Sequence, residues 1–124
     1  MTLLALIVDD SMLIRHTVRR VLEKRGFQVE TVSDGAAALE TLKTIQPAVI
    51  FTDLQMPRLS GPELIDALHA NAETARIPIV VLAAKPLSGD IQETRAHAII
   101  YKDMLIEEQL KKVIENLFPS GATA

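Results

Sequence analysis

The chain has 124 residues, near the commonest domain size, and 48% of them are hydrophobic against 23% charged, which supplies one packed core and excludes a disordered chain. It has no Cys, so disulfide frameworks, thiolate metal sites and thiol catalysis are excluded, and a reducing, cytoplasmic setting is expected. A net charge of −3 argues against direct nucleic-acid binding, and the longest apolar runs fall far short of the roughly 20 residues that membrane insertion needs.

Four short runs rich in branched residues alternate with segments of helical period, and a fifth, less apolar run fits among them. This order predicts an α/β domain with a parallel sheet. The strands are expected at Leu3 to Val8, Phe27 to Val32, Ala48 to Thr52, Ile77 to Ala83 and Ala98 to Tyr101. The first, third and fourth are almost wholly apolar, as strands covered on both faces are, whereas the second alternates and reads as an edge. A first helix is expected from Ser11, with Ile14, Val18, Val21 and Leu22 facing inward and Gly26 ending it. A second should run from about Asp34 to Ile45 before Pro47, and a third should begin after Gly61 and Pro62. Between Pro86 and Ala96 the pattern supports only a weak helix, with Gly89 inside it. The final helix carries Ile106, Leu110, Val113, Ile114 and Leu117, with Asp103 expected as its N-cap. Residues 1–119 are read as one domain, and 120–124 as a tail or the start of a linker.

In doubly wound sheets, ligands bind outside the carboxyl ends of the strands. Asp9 and Asp10 follow the first strand, Asp53 the third and Lys102 the fifth, so parallel packing should bring all four together. Clustered carboxylates repel one another unless a cation joins them, and their oxygen donors suit Mg²⁺. Such a site fits a phosphoryl group, with Asp53 as nucleophile and Lys102 stabilising the phosphoryl oxygens.

The segments Val8-Asp9-Asp10-Ser11, Asp53-Leu54-Gln55-Met56-Pro57-Arg58-Leu59-Ser60-Gly61, Pro78-Ile79-Val80-Val81-Leu82 and Tyr101-Lys102 together resemble the response regulator receiver domain of two-component signalling, from Leu4 to Phe118. The resemblance implies a flavodoxin-like (βα)5 fold with strand order 2-1-3-4-5 and helices on both faces. It implies that Asp53 is the phosphoacceptor, that Asp10 binds Mg²⁺ directly and Asp9 through water, that the Gln55 backbone carbonyl completes the metal site, and that Lys102 contacts the phosphoryl group. Such a domain is not an enzyme in its own right. Its phosphodonor is a phosphohistidine on a sensor histidine kinase or a histidine phosphotransfer protein, its output protein is unknown, and homodimerisation stays open.

The sequence departs from the family at its switch. A Ser or Thr is usual where Ala83 stands, an aromatic where Ile99 stands, and a Pro where Asp103 follows Lys102. Loss of one charge-assisted hydrogen bond at Ala83 removes about 1.5–3 kcal/mol of bias toward an active state, so a weakened switch is expected. Lys85 is a candidate replacement cation over the site. Arg15, Arg19, Arg20, Lys24 and Arg25 make the first helix basic, a surface suited to steering an acidic partner. His16, His69 and His97 lack metal-ligand spacing and are assigned no chemistry. Two other functions compete with the phosphoacceptor: a phosphorylation-independent interaction or dimerisation module, which Ala83, Ile99 and Asp103 favour, and a phosphatase or mutase. The latter lacks its acid/base carboxylate, since Gln55 stands two residues after Asp53.

Overall fold

A computed structural model describes residues 2–54, 59–84 and 96–119. Its elements run β1 (Leu4–Val8), α1 (Met12–Lys24), β2 (Gln28–Val32), α2 (Gly35–Thr41), β3 (Val49–Asp53), α3 (Gly61–Ala70), β4 (Ile79–Ala83), β5 (Ala98–Tyr101) and α4 (Ile106–Leu117). All strand pairs are parallel, in the order β2-β1-β3-β4-β5, so β2 is an edge as its alternation predicts. The helix expected at Pro86 to Ala96 lies almost wholly outside the described residues. None of the described helices is long and apolar enough to cross a membrane.

The central strands are apolar at successive residues because both sheet faces are covered. Ala5, Ile7, Val49, Phe51, Val80, Leu82 and Ile100 pack against α1 and α4, through Val18, Leu22, Leu110 and Ile114. Leu6, Val8, Ile50, Ile79 and Val81 pack on the other face against α2 and α3, through Ala38, Leu64, Ile65 and Leu68. This period of two decides which side each polar residue at a strand end will take.

Local chemistry sets the helix starts. Ser11 and Asp34 cap α1 and α2 by accepting from the backbone N–H groups of Ile14 and Ala37. Ser60 and Glu63 form a reciprocal capping box, so α3 begins at Gly61 and includes Pro62, rather than starting after them. Gly26 ends the first βα unit at φ 90°, a conformation costly for any residue with a Cβ.

Two further expectations are corrected. α2 stops at Thr41, well before Ile45, because single turns follow it: Lys43 N–H donates to Glu40 O and Thr44 N–H to Thr41 O. Asp103 is not the N-cap of the final helix. That position is Leu105, with no side-chain cap, and Asp103 instead accepts from the Leu105 N–H at 2.8 Å, closing a turn ahead of the helix.

Candidate phosphoacceptor site

Strand register builds the site. Val8 lies beside Thr52, so the residues that follow, Asp9 and Asp53, emerge side by side from neighbouring strands. Ala83 pairs with Tyr101, and Lys102 is the next residue. Asp9, Asp53 and Lys102 share the alternation of Ile7, Phe51 and Ile100, which turns all three toward the α1/α4 side.

The Lys102 ammonium bridges two carboxylates, 2.7 Å from Asp9 Oδ2 and 3.1 Å from Asp53 Oδ2. Asp9 is fully buried, Asp53 and Lys102 nearly so, and Asp10 is exposed. Burial pushes the Asp9 carboxyl up from its ordinary range, and the neighbouring Asp53 adds to this, more than the Lys102 ion pair and the Ser11 N–H bring it down. For Lys102, burial pulls the ammonium down, but the two carboxylates outweigh it and the net direction is up. Lys102 therefore stays charged.

One carboxylate oxygen each from Asp9, Asp10 and Asp53 lies within 4.8 Å of the others. Asp9 Oδ1 accepts from the Ser11 N–H at 2.8 Å, while the buried Asp9 Oδ2 has the Lys102 ammonium as its partner. Three carboxylates gathered at the sheet edge supply hard oxygen donors that fit a small divalent cation such as Mg²⁺. Gln55 and Lys85, named from the sequence for the metal site and as a replacement cation, lie outside the described residues.

The switch positions are apolar throughout. Ala83 is buried on the opposite side of the sheet, in a cluster with Ile99, Tyr101 and Ala96, and offers no hydroxyl. The three His are exposed.

Three residues have supporting roles that were not assigned from the sequence, Arg15 and Gly61 having been named there for other reasons and Gln109 not at all. Arg15 donates to the Asp9 carbonyl at 2.6 Å and so fixes the loop that carries both N-terminal carboxylates. Gly61 lets α3 approach the backbone of Asp53 and Leu54: its N–H donates to Leu54 O, and a Cβ there would sit 2.7 Å from Leu54 Cα. The Gly61 of the Asp-x-x-Met-Pro-x-x-x-Gly stretch was the available signal for it. Gln109, on α4, hydrogen-bonds both sides of the Tyr101 peptide.

A parallel sheet of this order with an acidic cluster and a lysine at its carboxyl edge is the arrangement of signalling receiver domains. The chain belongs to the response regulator receiver domain family, whose model matches residues 5–115. It is 36% identical over 85 residues to the response regulator MprA of Mycobacterium ulcerans, a match covering 68% of this chain and 36% of that protein. Among solved structures it is similar to the chemotaxis response regulator CheY4 of Vibrio cholerae, with a TM-score of 0.86 and 29% identity over 95% of this chain and 100% of that one. The fold is shared with the receiver domain of the sensor histidine kinase PA1611 from Pseudomonas aeruginosa, solved with magnesium in its active site cleft, at a TM-score of 0.84 and 22% identity over 97% of this chain and all of that one. The chain spans about a third or less of the first curated relatives it matches.

Proposed function

We propose that this receiver accepts a phosphoryl group on Asp53 from a phosphohistidine donor, in a Mg²⁺-dependent reaction, and thereby changes its affinity for a partner. The observation that carries the reading is the Asp53 carboxylate held 3.1 Å from a nearly buried Lys102 beside two further carboxylates. An Asp53 oxygen attacks phosphorus, the phosphorus–nitrogen bond to the donor imidazole breaks, and the bonding pair leaves with the imidazole. Lys102 faces the charge that gathers on the phosphoryl oxygens, and its ion pair with Asp9 keeps it extended toward them. Asp9, Asp10 and Asp53, with the Gln55 carbonyl, are the residues that would hold Mg²⁺, which when bound screens the carboxylates from the incoming phosphoryl charge.

The surroundings suit a protein donor. The exposed large hydrophobics among the described residues are Met12 and Leu13, just after the Asp pair, and Met104 and Leu105, just after Lys102. They rim the site beside the basic face of α1, a combination that fits an acidic partner with an apolar centre. Cytoplasmic sensor kinases and phosphotransfer proteins are the expected class. With Ala83 and Ile99 at the switch positions, the structural response to phosphorylation is weaker than the family's. The same two residues favour a second reading, a docking module that works without phosphorylation.

Incubation with Mg²⁺ and a small phosphodonor, followed by hydroxylamine, distinguishes the two. The first reading expects a modification that hydroxylamine removes, as an acyl phosphate requires; absence of any hydroxylamine-labile product would contradict it.

A further inference from the structure

We propose that Gln109 is a positioning residue for Lys102, acting through a hydrogen-bonded clasp on the end of β5; the inference deepens the phosphoacceptor reading and rests on it for its kinetic consequence. β5 is the last strand of the sheet, so its outward backbone groups have no strand neighbour among the described residues. At Tyr101 the Gln109 side chain takes that place. Its Oε1 accepts from the Tyr101 N–H at 2.9 Å, and its Nε2 donates to Tyr101 O at 3.0 Å and to Asp103 Oδ1 at 3.1 Å. The partners fix the orientation of the amide: reversed, it would set N–H against N–H and oxygen against two oxygens. Asp103 Oδ1 also accepts from the Leu105 N–H at 2.8 Å, so Gln109 and Asp103 together bind the whole turn from Tyr101 to Leu105.

Lys102 is the residue between the two held points. Its own N–H donates to Ala83 O at 2.8 Å, which ties it to β4 on one side while the clasp ties its neighbours to α4 on the other. A lysine stem has about 2 kcal/mol of rotamer entropy and reaches two carboxylates only from a fixed Cα. Anchoring of α4 itself is left to Ile106, Leu110 and Ile114 in the core, so loss of the Gln109 amide frees the turn without undocking the helix. Where the family usually follows this lysine with a Pro, the chain has Asp103, and the clasp supplies the restraint instead.

The test combines phosphorylation with lysine accessibility. Wild type, Gln109→Leu, Asp103→Ala, Lys102→Met and the Lys102→Met/Gln109→Leu double variant are incubated with phosphoramidate and saturating Mg²⁺, and phosphate gain is timed by intact mass. In parallel, a brief acylation pulse reads the reactivity of the Lys102 amine against Lys111 and Lys112 on α4. Gln109→Leu should slow phosphorylation about tenfold, a displacement of well under an ångström being enough for this. It should raise Lys102 labelling severalfold and slow nothing further once Lys102 is Met. Asp103→Ala should change both readouts in the same direction and by less. Equal slowing with and without Lys102, or wild-type rate and labelling in Gln109→Leu, would overturn the proposal. If the wild type takes up no phosphate, the phosphoacceptor reading fails, and the labelling of Lys102 alone decides whether Gln109 positions it.

Discussion

Replacing Lys102 by Met keeps most of the stem and removes the ammonium that bridges Asp9 and Asp53. At an effective dielectric of about 20, separations of 2.7 and 3.1 Å correspond to attractions of about 6 and 5 kcal/mol, most of which is offset by desolvating a nearly buried ammonium. The variant keeps the carboxylates and loses the compensation, so we expect a loss of about 3 kcal/mol at pH 8 without Mg²⁺, the lower end for breaking a buried pair because the site opens at the sheet edge. The pH dependence has a definite sign. In the wild type Lys102 is raised above its ordinary 10.5, so its contribution is complete below that value and is lost as the pH rises through the folded one. Asp9 is raised above 3.8, so its contribution is complete below 3.8 and is lost as the pH rises through its folded value. Without the lysine Asp9 moves further up, and the deficit of the variant shrinks on acidification toward pH 4. Because the chain has no Trp and one Tyr, urea unfolding is best followed by far-ultraviolet circular dichroism. Mg²⁺ at a hundred times its Kd adds about 2.7 kcal/mol to a form that binds it, and the variant, free of the competing ammonium, should reach that at a lower concentration. A variant within about 0.5 kcal/mol of wild type at both pH values, or a deficit that grows on acidification, would refute this reasoning.

Three further outcomes follow from the geometry. Gly61→Ala should cost about 1–3 kcal/mol by urea unfolding and slow phosphorylation, because the new Cβ must push the Asp53-Leu54 backbone aside; an unchanged midpoint would show that α3 can withdraw freely. Arg19→Glu with Arg20→Glu should abolish the salt dependence of phosphotransfer from a protein donor and leave the rate with phosphoramidate unchanged, whereas retained salt dependence would remove α1 from the docking surface. Ala83→Thr, which restores a hydroxyl at the end of β4, should enlarge the phosphorylation-induced change in hydrogen exchange at β4 and β5; an unaltered change would mean that the switch does not run through this position.

The sheet was legible because its strands are short, branched and apolar in a strict order, and the edge nature of β2 followed from its alternation. The juxtaposition of Asp9, Asp10, Asp53 and Lys102 was legible for the same reason, since parallel strands leave their carboxyl ends on one edge. What the sequence hid was competition among local hydrogen bonds. Asp103 has an N-cap's composition and position, but its side chain is claimed by Leu105 and Gln109, so the helix starts later and uncapped. The helical period continues past Thr41, yet Thr41, Thr44 and Ile45 are β-branched, and tight turns replace the last part of α2. Gln109 reads as an ordinary polar residue of an amphipathic helix. No periodicity announces a side chain that pairs with a strand edge.

The most direct test is the intact mass of the protein after incubation with Mg²⁺ and acetyl phosphate, for wild type and for Asp53→Asn. A single added phosphate that appears in the wild type, requires Mg²⁺ and is absent from Asp53→Asn is the predicted result. No added phosphate on the wild type, or the same gain on Asp53→Asn, would contradict a phosphoacceptor at the end of β3.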